Sequence, residues 1–198
     1  MSVMIDIIGS SIFGGMLLLC MLNAGDVSNE NRQEAHSTMM VQQELTSVIQ
    51  LLEGEFRNAG CGLPPSKPSV IAADSTTITF IGNLDGQGGV PDTITYFLGS
   101  TTELSSTTNE FDRPLYRQIN STPPMIAGVV TLLRFQYFNL SGDELPFPVP
   151  VDRLPEIKTI ELSVETQSSA GVQTQGGKTI FPASMWQQTR LSSRNSNR

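Results

Sequence analysis

The sequence has almost none of the nitrogen and sulfur side chains from which zinc sites are built. Its 198 residues include one histidine and two cysteines. A lone imidazole with no second histidine or neighbouring thiolate makes no zinc site, since such sites need three or four protein ligands. His36 sits in a polar stretch between Glu34 and Met39 and is expected on a solvated surface. No Gly-x-Ser-x-Gly, phosphate-cradling loop or dinucleotide fingerprint occurs. The glycine-rich stretch 82–89 joins two strand-like runs instead of opening a helix, so it lacks the amide cluster and dipole that hold phosphate. The expectation is a protein that is not an enzyme and carries no cofactor.

Charge is missing in places that matter. There is no Lys or Arg before Arg32, which excludes the basic n-region of a removable signal peptide and leaves the positive-inside rule silent on orientation. There is no acid after Glu165, so the end of the chain, with Lys178, Arg190, Arg194 and Arg198, is locally basic in a protein of net charge -7. That surplus of carboxylates argues against nucleic acid as a partner. Cysteine is too sparse for a disulfide framework: Cys20 lies in an apolar run and Cys61 in the loop Ala59-Gly-Cys-Gly62. With one in lipid and the other outside it, their Cα atoms cannot approach to the roughly 4.4–6.8 Å a bridge needs.

What is present begins at the N-terminus. Sixteen residues from Ile7 to Leu22 carry no charge, and with Val3 to Ile5 the run approaches the ~20 residues that a helix needs to cross a bilayer core. Asp6 is its one charge. A carboxylate at the edge of an apolar helix is costly unless paired, and the nearest cation is an α-amino group. Removal of Met1 would leave that amine on Ser2, one turn from Asp6 or within reach of a neighbouring helix's Asp6.

From Ser28 to Asn58 the composition turns polar, with no Pro and one Gly, while Val41, Leu45, Val48, Ile49, Leu52 and Phe56 recur at spacings of three and four. This is an amphipathic stripe. No proline separates the two halves, so a single helix of about 55 residues, of order 80 Å long, is expected, stopping at Ala59-Gly-Cys-Gly-Leu-Pro-Pro65. The period then changes to two. Strands are expected at 70–73, 77–81, 93–98, 115–119, 129–139, 156–166 and 185–191, with a mobile Ser/Thr-rich loop at 99–109 and an extended loop at 145–155, which holds four prolines in eleven residues. Helix first and strands after give an α+β fold: a long N-terminal helix packed on an antiparallel β-sheet head. The organisation is an apolar helix over 1–24, an amphipathic continuation over 25–60 and a β-rich head over 61–198.

Beginning at Ser2, the run Ser-Val-Met-Ile-Asp6 resembles the start of mature type IV pilins and type II secretion pseudopilins, which open on an aromatic or small residue, two or three apolar residues and an acid. Leu52-Glu-Gly-Glu-Phe-Arg-Asn-Ala-Gly60 is similar to the helix end of the larger minor pilins. So are the hairpin from Asn83-Leu-Asp-Gly to Asp92-Thr-Ile-Thr-Tyr96, the strand Leu115-Tyr-Arg117, Leu133-Arg-Phe-Gln-Tyr137 with Gly142, and the ending from Trp186 to Asn195. The resemblance covers nearly the whole chain, and its specificity lies in the order of the pieces. Asp6 stands where Glu is usual and Ser2 where Phe is usual. Only Met1 precedes Ser2, where family precursors carry a short basic leader; the leader lies outside this sequence, or the chain inserts without leader cleavage.

The resemblance implies a membrane-anchored structural subunit, held in a bacterial inner membrane with its head outside the cytoplasm. Its partners would be other pilin-like subunits and the assembly machinery of a type IV pilus or type II secretion system, and its end state a periplasmic or cell-surface filament. Ser2, Asp6, Gly9, Gly14 and Gly15 would be assembly residues, the glycines allowing close helix approach. Val41, Leu45, Val48, Ile49, Leu52 and Phe56 would pack helix on head, and loops 99–112 and 141–155 would face partners. The rival is a stand-alone membrane-tethered adhesin or binding module, which calcium would support if Asn83, Asp85, Gln87 and Asp92 formed a loop site. Those oxygens alternate as calcium ligands do, but only two are carboxylates and no bidentate Glu follows, so a plain hairpin turn is the simpler expectation.

Overall fold

The computed structural model describes residues 2–64, 67–84, 90–105, 107–173, 177 and 179–192, and for residues 2, 3, 5, 6, 30, 172 and 173 the backbone alone. Helix α1 (Ser2–Arg57) is continuous over 56 residues, as the absence of proline allows. Its last turn tightens through Asn58 N–H to Glu55 O and Ala59 N–H to Phe56 O, and Gly60 then takes φ 78°, the left-handed conformation that stops a helix. The Gly60 N–H donates to Ile81 O at 2.7 Å. The end of the helix is therefore tied directly to the sheet.

Ten strands follow. β1 (Val70–Ala73), β2 (Thr77–Gly82), β3 (Asp92–Leu98), β4 (Arg113–Ile119) and β5 (Met125–Val130) form a five-stranded antiparallel sheet in sequence order. β6 (Leu132–Phe138), β7 (Thr159–Gln167) and β10 (Ser184–Leu191) form a second, three-stranded sheet with β7 in the middle, and β8 (Val172–Gln173) pairs with β9 (Thr179–Ile180). The result is the expected α+β architecture.

Several local expectations need correction. The single strand over 129–139 is two strands in different sheets. Thr131 breaks it: its N–H and hydroxyl both turn to Glu165 O, at 2.9 and 3.2 Å, which carries the chain from the first sheet to the second. The strand expected from 156 begins at Thr159, because residues 151–156 wind into a 3-10 helix. The segment 145–155 is also more than an extended loop. Its Leu145 and Val149 N–H groups donate to Tyr137 O and Ala73 O, which covers the outer edges of β6 and β1, and Leu145, Val149 and Leu154 are buried. Nor is 99–109 a free loop: Ser100 and Glu103 cap a 3-10 turn, and Thr108 is tied to Ser169 O.

The core lies where the second half of α1 meets both sheets. Val41, Leu45, Val48, Ile49, Leu52 and Phe56 are all buried. Phe56 links the layers, with its ring centroid 4.8 Å from Phe80 of the first sheet and 6.1 Å from Phe135 of the second. Burying one such side chain is worth about 1.5–3 kcal/mol. The approach to β5 is closest at Gly128, where an added Cβ would lie 2.4 Å from Val48 Cγ2. Val48 is β-branched and buried in a helix, so it has little rotamer freedom with which to retreat. Gly128→Ala should cost about 1–3 kcal/mol by chemical denaturation of the full chain in detergent. Adding Val48→Ala should restore part of the loss, and an unchanged midpoint for the single variant would contradict this packing.

Candidate functional site

The feature set apart from the head is the exposed part of α1. From Ile7 to Leu22 the described side chains lie open: Phe13 is 74% exposed, Leu19 66% and Met21 67%. By length and composition this helix can cross a membrane, and it is the one helix among the described residues that can. Gly9, Gly14 and Gly15 are on this part, and a Cβ built on any of them meets nothing within 4 Å. Ser2 and Asp6 lie in the first turns of α1; their side chains are outside the described residues. The polar stretch that follows, with Cys20 before it and His36 within it, is exposed too. The stripe from Val41 to Phe56 lies at the other end, inside the head.

The four hairpin oxygens do not form a described cluster. Asp85 and Gln87 lie outside the described residues. Asn83 is buried at the loop's entry, while Asp92 Oδ1 accepts from Asn120 Nδ2 at 2.8 Å. Among the described residues no three His, Cys, Asp or Glu side chains converge as metal ligands. Cys20 and Cys61 are both exposed and free.

The structure brings together polar groups that the sequence reading did not single out. Glu55, buried on α1, accepts from the Tyr96 hydroxyl of β3 and from Arg117 Nη2 of β4. This ties the helix to the middle of the first sheet by a charge-assisted pair in low dielectric. Burial first, and the Glu55 carboxylate second, push the Tyr96 phenol well above its ordinary range. The second group lies toward the point where α1 leaves the head. Glu44 accepts the Val129 N–H at 3.0 Å, and its carboxyl is raised by burial and by the charge of Asp112, against the opposing effect of that hydrogen bond. Asp112 is 1% exposed and is raised by burial, with the Thr107 and Ser169 hydroxyls opposing.

A sequence signal for these groups exists. Glu44 and Glu55 fall three residues after Val41 and Leu52, on the flank of the buried stripe, and Arg117 shares the strand parity of Leu115 and Ile119. Charges at core-facing positions call for partners, but the pattern does not name them.

Two comparisons with known proteins bear on the family. No protein-family profile matches this chain, and no curated protein matches it. The structure supports the resemblance at the level of a long N-terminal helix packed on antiparallel sheet.

Removing one partner of a buried ion pair strands the other. Glu55→Ala should therefore destabilise by about 3–5 kcal/mol, and more than Glu55→Gln, which keeps an acceptor for Tyr96; equal losses in denaturation would contradict the pairing. The raised carboxyls give a pH dependence. A group whose folded pKa lies above its unfolded value adds stability that is present below the ordinary carboxylate range, about 4, and is lost as pH rises through the folded pKa. Asp112→Asn should flatten the fall in melting temperature that accompanies a rise in pH above the ordinary carboxylate range. A profile identical to that of the unsubstituted chain would refute the assignment.

Proposed function

We propose that this chain is a non-enzymatic, membrane-anchored pilin-like subunit, of the minor pilin or pseudopilin kind, that assembles through α1 into a periplasmic or cell-surface filament. The observation that carries this reading is the division of one continuous helix into an exposed apolar first part and a last third buried by the head. An apolar surface of that extent needs a non-aqueous environment, and lipid or the equivalent helices of other subunits both provide one. Before assembly the apolar half is stored in the inner membrane with the head outside the cytoplasm. During assembly it exchanges lipid for neighbouring helices, with Gly9, Gly14 and Gly15 leaving room for close approach. Asp6 sets the axial register by pairing with the N-terminal amine of Ser2 on an adjacent subunit, because an unpaired carboxylate in that setting costs several kcal/mol. The machine that drives the exchange is a type IV pilus or type II secretion system, on the strength of the sequence resemblance.

Asp6→Ala should abolish incorporation into filaments while leaving membrane insertion and the head's melting temperature unchanged. Normal incorporation of that variant, scored in sheared or purified filaments, would overturn the mechanism. Exchange of residues 2–22 for an unrelated transmembrane helix separates this reading from a tethered binding module: the module keeps its function, and the filament subunit loses it.

A further inference from the structure

The two larger sheets have four edge strands, β1, β5, β6 and β10. Three are closed at least in part: the Val149 N–H donates to Ala73 O of β1, Glu44 accepts the Val129 N–H of β5, and on β6 the Phe135 N–H donates to Ser75 O while Tyr137 O accepts the Leu145 N–H. β10 differs. It pairs with β7 in unbroken register from Ser184 opposite Gln167 to Leu191 opposite Ile160, and among the described residues no group bonds the backbone of its other side. An exposed, regular edge of this kind is a template for one more strand.

The ladder decides which residues of β10 face outward. The Ser168 N–H donates to Ala183 O at 2.8 Å, which makes these two a hydrogen-bonded pair, and such pairs alternate along an antiparallel ladder. Met185, Gln187, Thr189 and Leu191 therefore direct their N–H and C=O to β7, whereas Ser184, Trp186, Gln188 and Arg190 direct theirs to the open side. The side chains of those same four are exposed, Trp186 by 58%, and lie on the face away from α1, since Thr189 on the other face bonds Glu53 of α1. The usual barriers to strand addition are missing: β10 has no proline, no lysine and no bulge. Its one charge, Arg190, leans over β7, where Nε donates to Glu161 Oε2 at 2.6 Å and the guanidinium lies 5.2 Å from the Phe138 ring centroid. That side chain is still 68% exposed, and no acid follows Glu165 in the chain.

We propose that β10 takes an extended segment of another polypeptide as an additional strand, one that carries an apolar side chain beside Trp186 and a carboxylate beside Arg190, four residues and so about 13 Å apart along the strand. Main-chain bonds to Trp186, Gln188 and Arg190 supply the affinity, and the two side-chain contacts select the segment. A second copy of this chain is not the occupant. Antiparallel pairing of two β10 edges needs a two-fold axis perpendicular to the sheet, and that axis reverses α1, which packs along the sheet, in one copy relative to the other. Two helices anchored in one membrane with their heads on the same side run the same way. This exclusion rests on the membrane-anchored reading; the open edge does not.

The test uses the full chain in detergent and two end-blocked peptides of about ten residues, a length that covers one strand. Both alternate Thr and Val; one carries Phe and Glu four residues apart, the other Lys in place of the Glu. Trp186 is the only tryptophan, so its fluorescence reports occupancy of this edge. The Glu peptide should shift that emission saturably and slow hydrogen exchange of the Trp186, Gln188 and Arg190 amides about tenfold, leaving those of Met185, Gln187 and Thr189 unchanged. The Lys peptide should bind about threefold more weakly, the size of an exposed ion pair. Gln188→Pro removes an outward amide without the loss of a bond to β7, and should abolish binding with little change in melting temperature. If that variant fails to fold, Arg190→Gln decides, since it should erase the preference for the Glu peptide. No saturable shift, full binding by a folded Gln188→Pro chain, or an undiminished preference in Arg190→Gln would overturn the proposal. So would self-association of the chain that Gln188→Pro abolishes in sedimentation, which would make a second copy the occupant; filament incorporation is not read here, so failure of this proposal is distinct from failure of the filament reading.

Discussion

The burial of one helical stripe against two sheets holds this molecule together. The five-stranded sheet and the β6–β7–β10 sheet are joined in sequence at Thr131, and in the core through α1, where Phe56 packs against Phe80 on one side and edge-on against Phe135 on the other. Withdraw the helix and each sheet exposes an apolar face with nothing to cover it. The close approach at Gly128 follows from this geometry: the helix can settle over β5 only if no side chain stands between Val48 and the strand. A long helix that would be marginal alone in water is thus fixed over its last third by tertiary packing.

Polar contacts refine what the stripe begins. Glu55 meets Tyr96 and Arg117 near the end of the helix, and Thr189 Oγ1 donates to Glu53 across to β10 at 3.0 Å. Toward the other end Thr166 Oγ1 donates to Val41 O, and Glu44 closes off the N–H of Val129 on edge strand β5. Hydrophobic burial sets which face of α1 turns inward, whereas these directional bonds fix its axial position and rotation, because each is lost with a displacement of an ångström or so. Carboxylates on the flank of an apolar stripe serve that purpose at a desolvation cost.

The same covalent rod runs on as an exposed apolar helix, so a register fixed in the head is carried without a hinge of proline into the part that meets lipid or other helices. A filament subunit gains from that continuity, since the position of the head relative to the helix array is then decided inside the monomer. The Glu44 carboxyl stands where this rod leaves the head and ties it there by accepting the Val129 N–H.

The sequence by itself determined the helix, its stop, the stripe that faces inward and the change to strands, because each is a local property: period, proline placement, glycine at a left-handed turn. It also determined that the first half of α1 is apolar enough to leave water. Only the tertiary structure decided that residues 129–139 serve two sheets, since alternation runs through the break at Thr131 and the cause is a carbonyl on Glu165. The partners of Glu44, Glu55, Arg117 and Asp112 were equally beyond local reading: the pairings span 41 residues for Tyr96 and 85 for Val129. A period records which face of an element is buried, but which distant group a buried charge meets depends on how several elements pack at once.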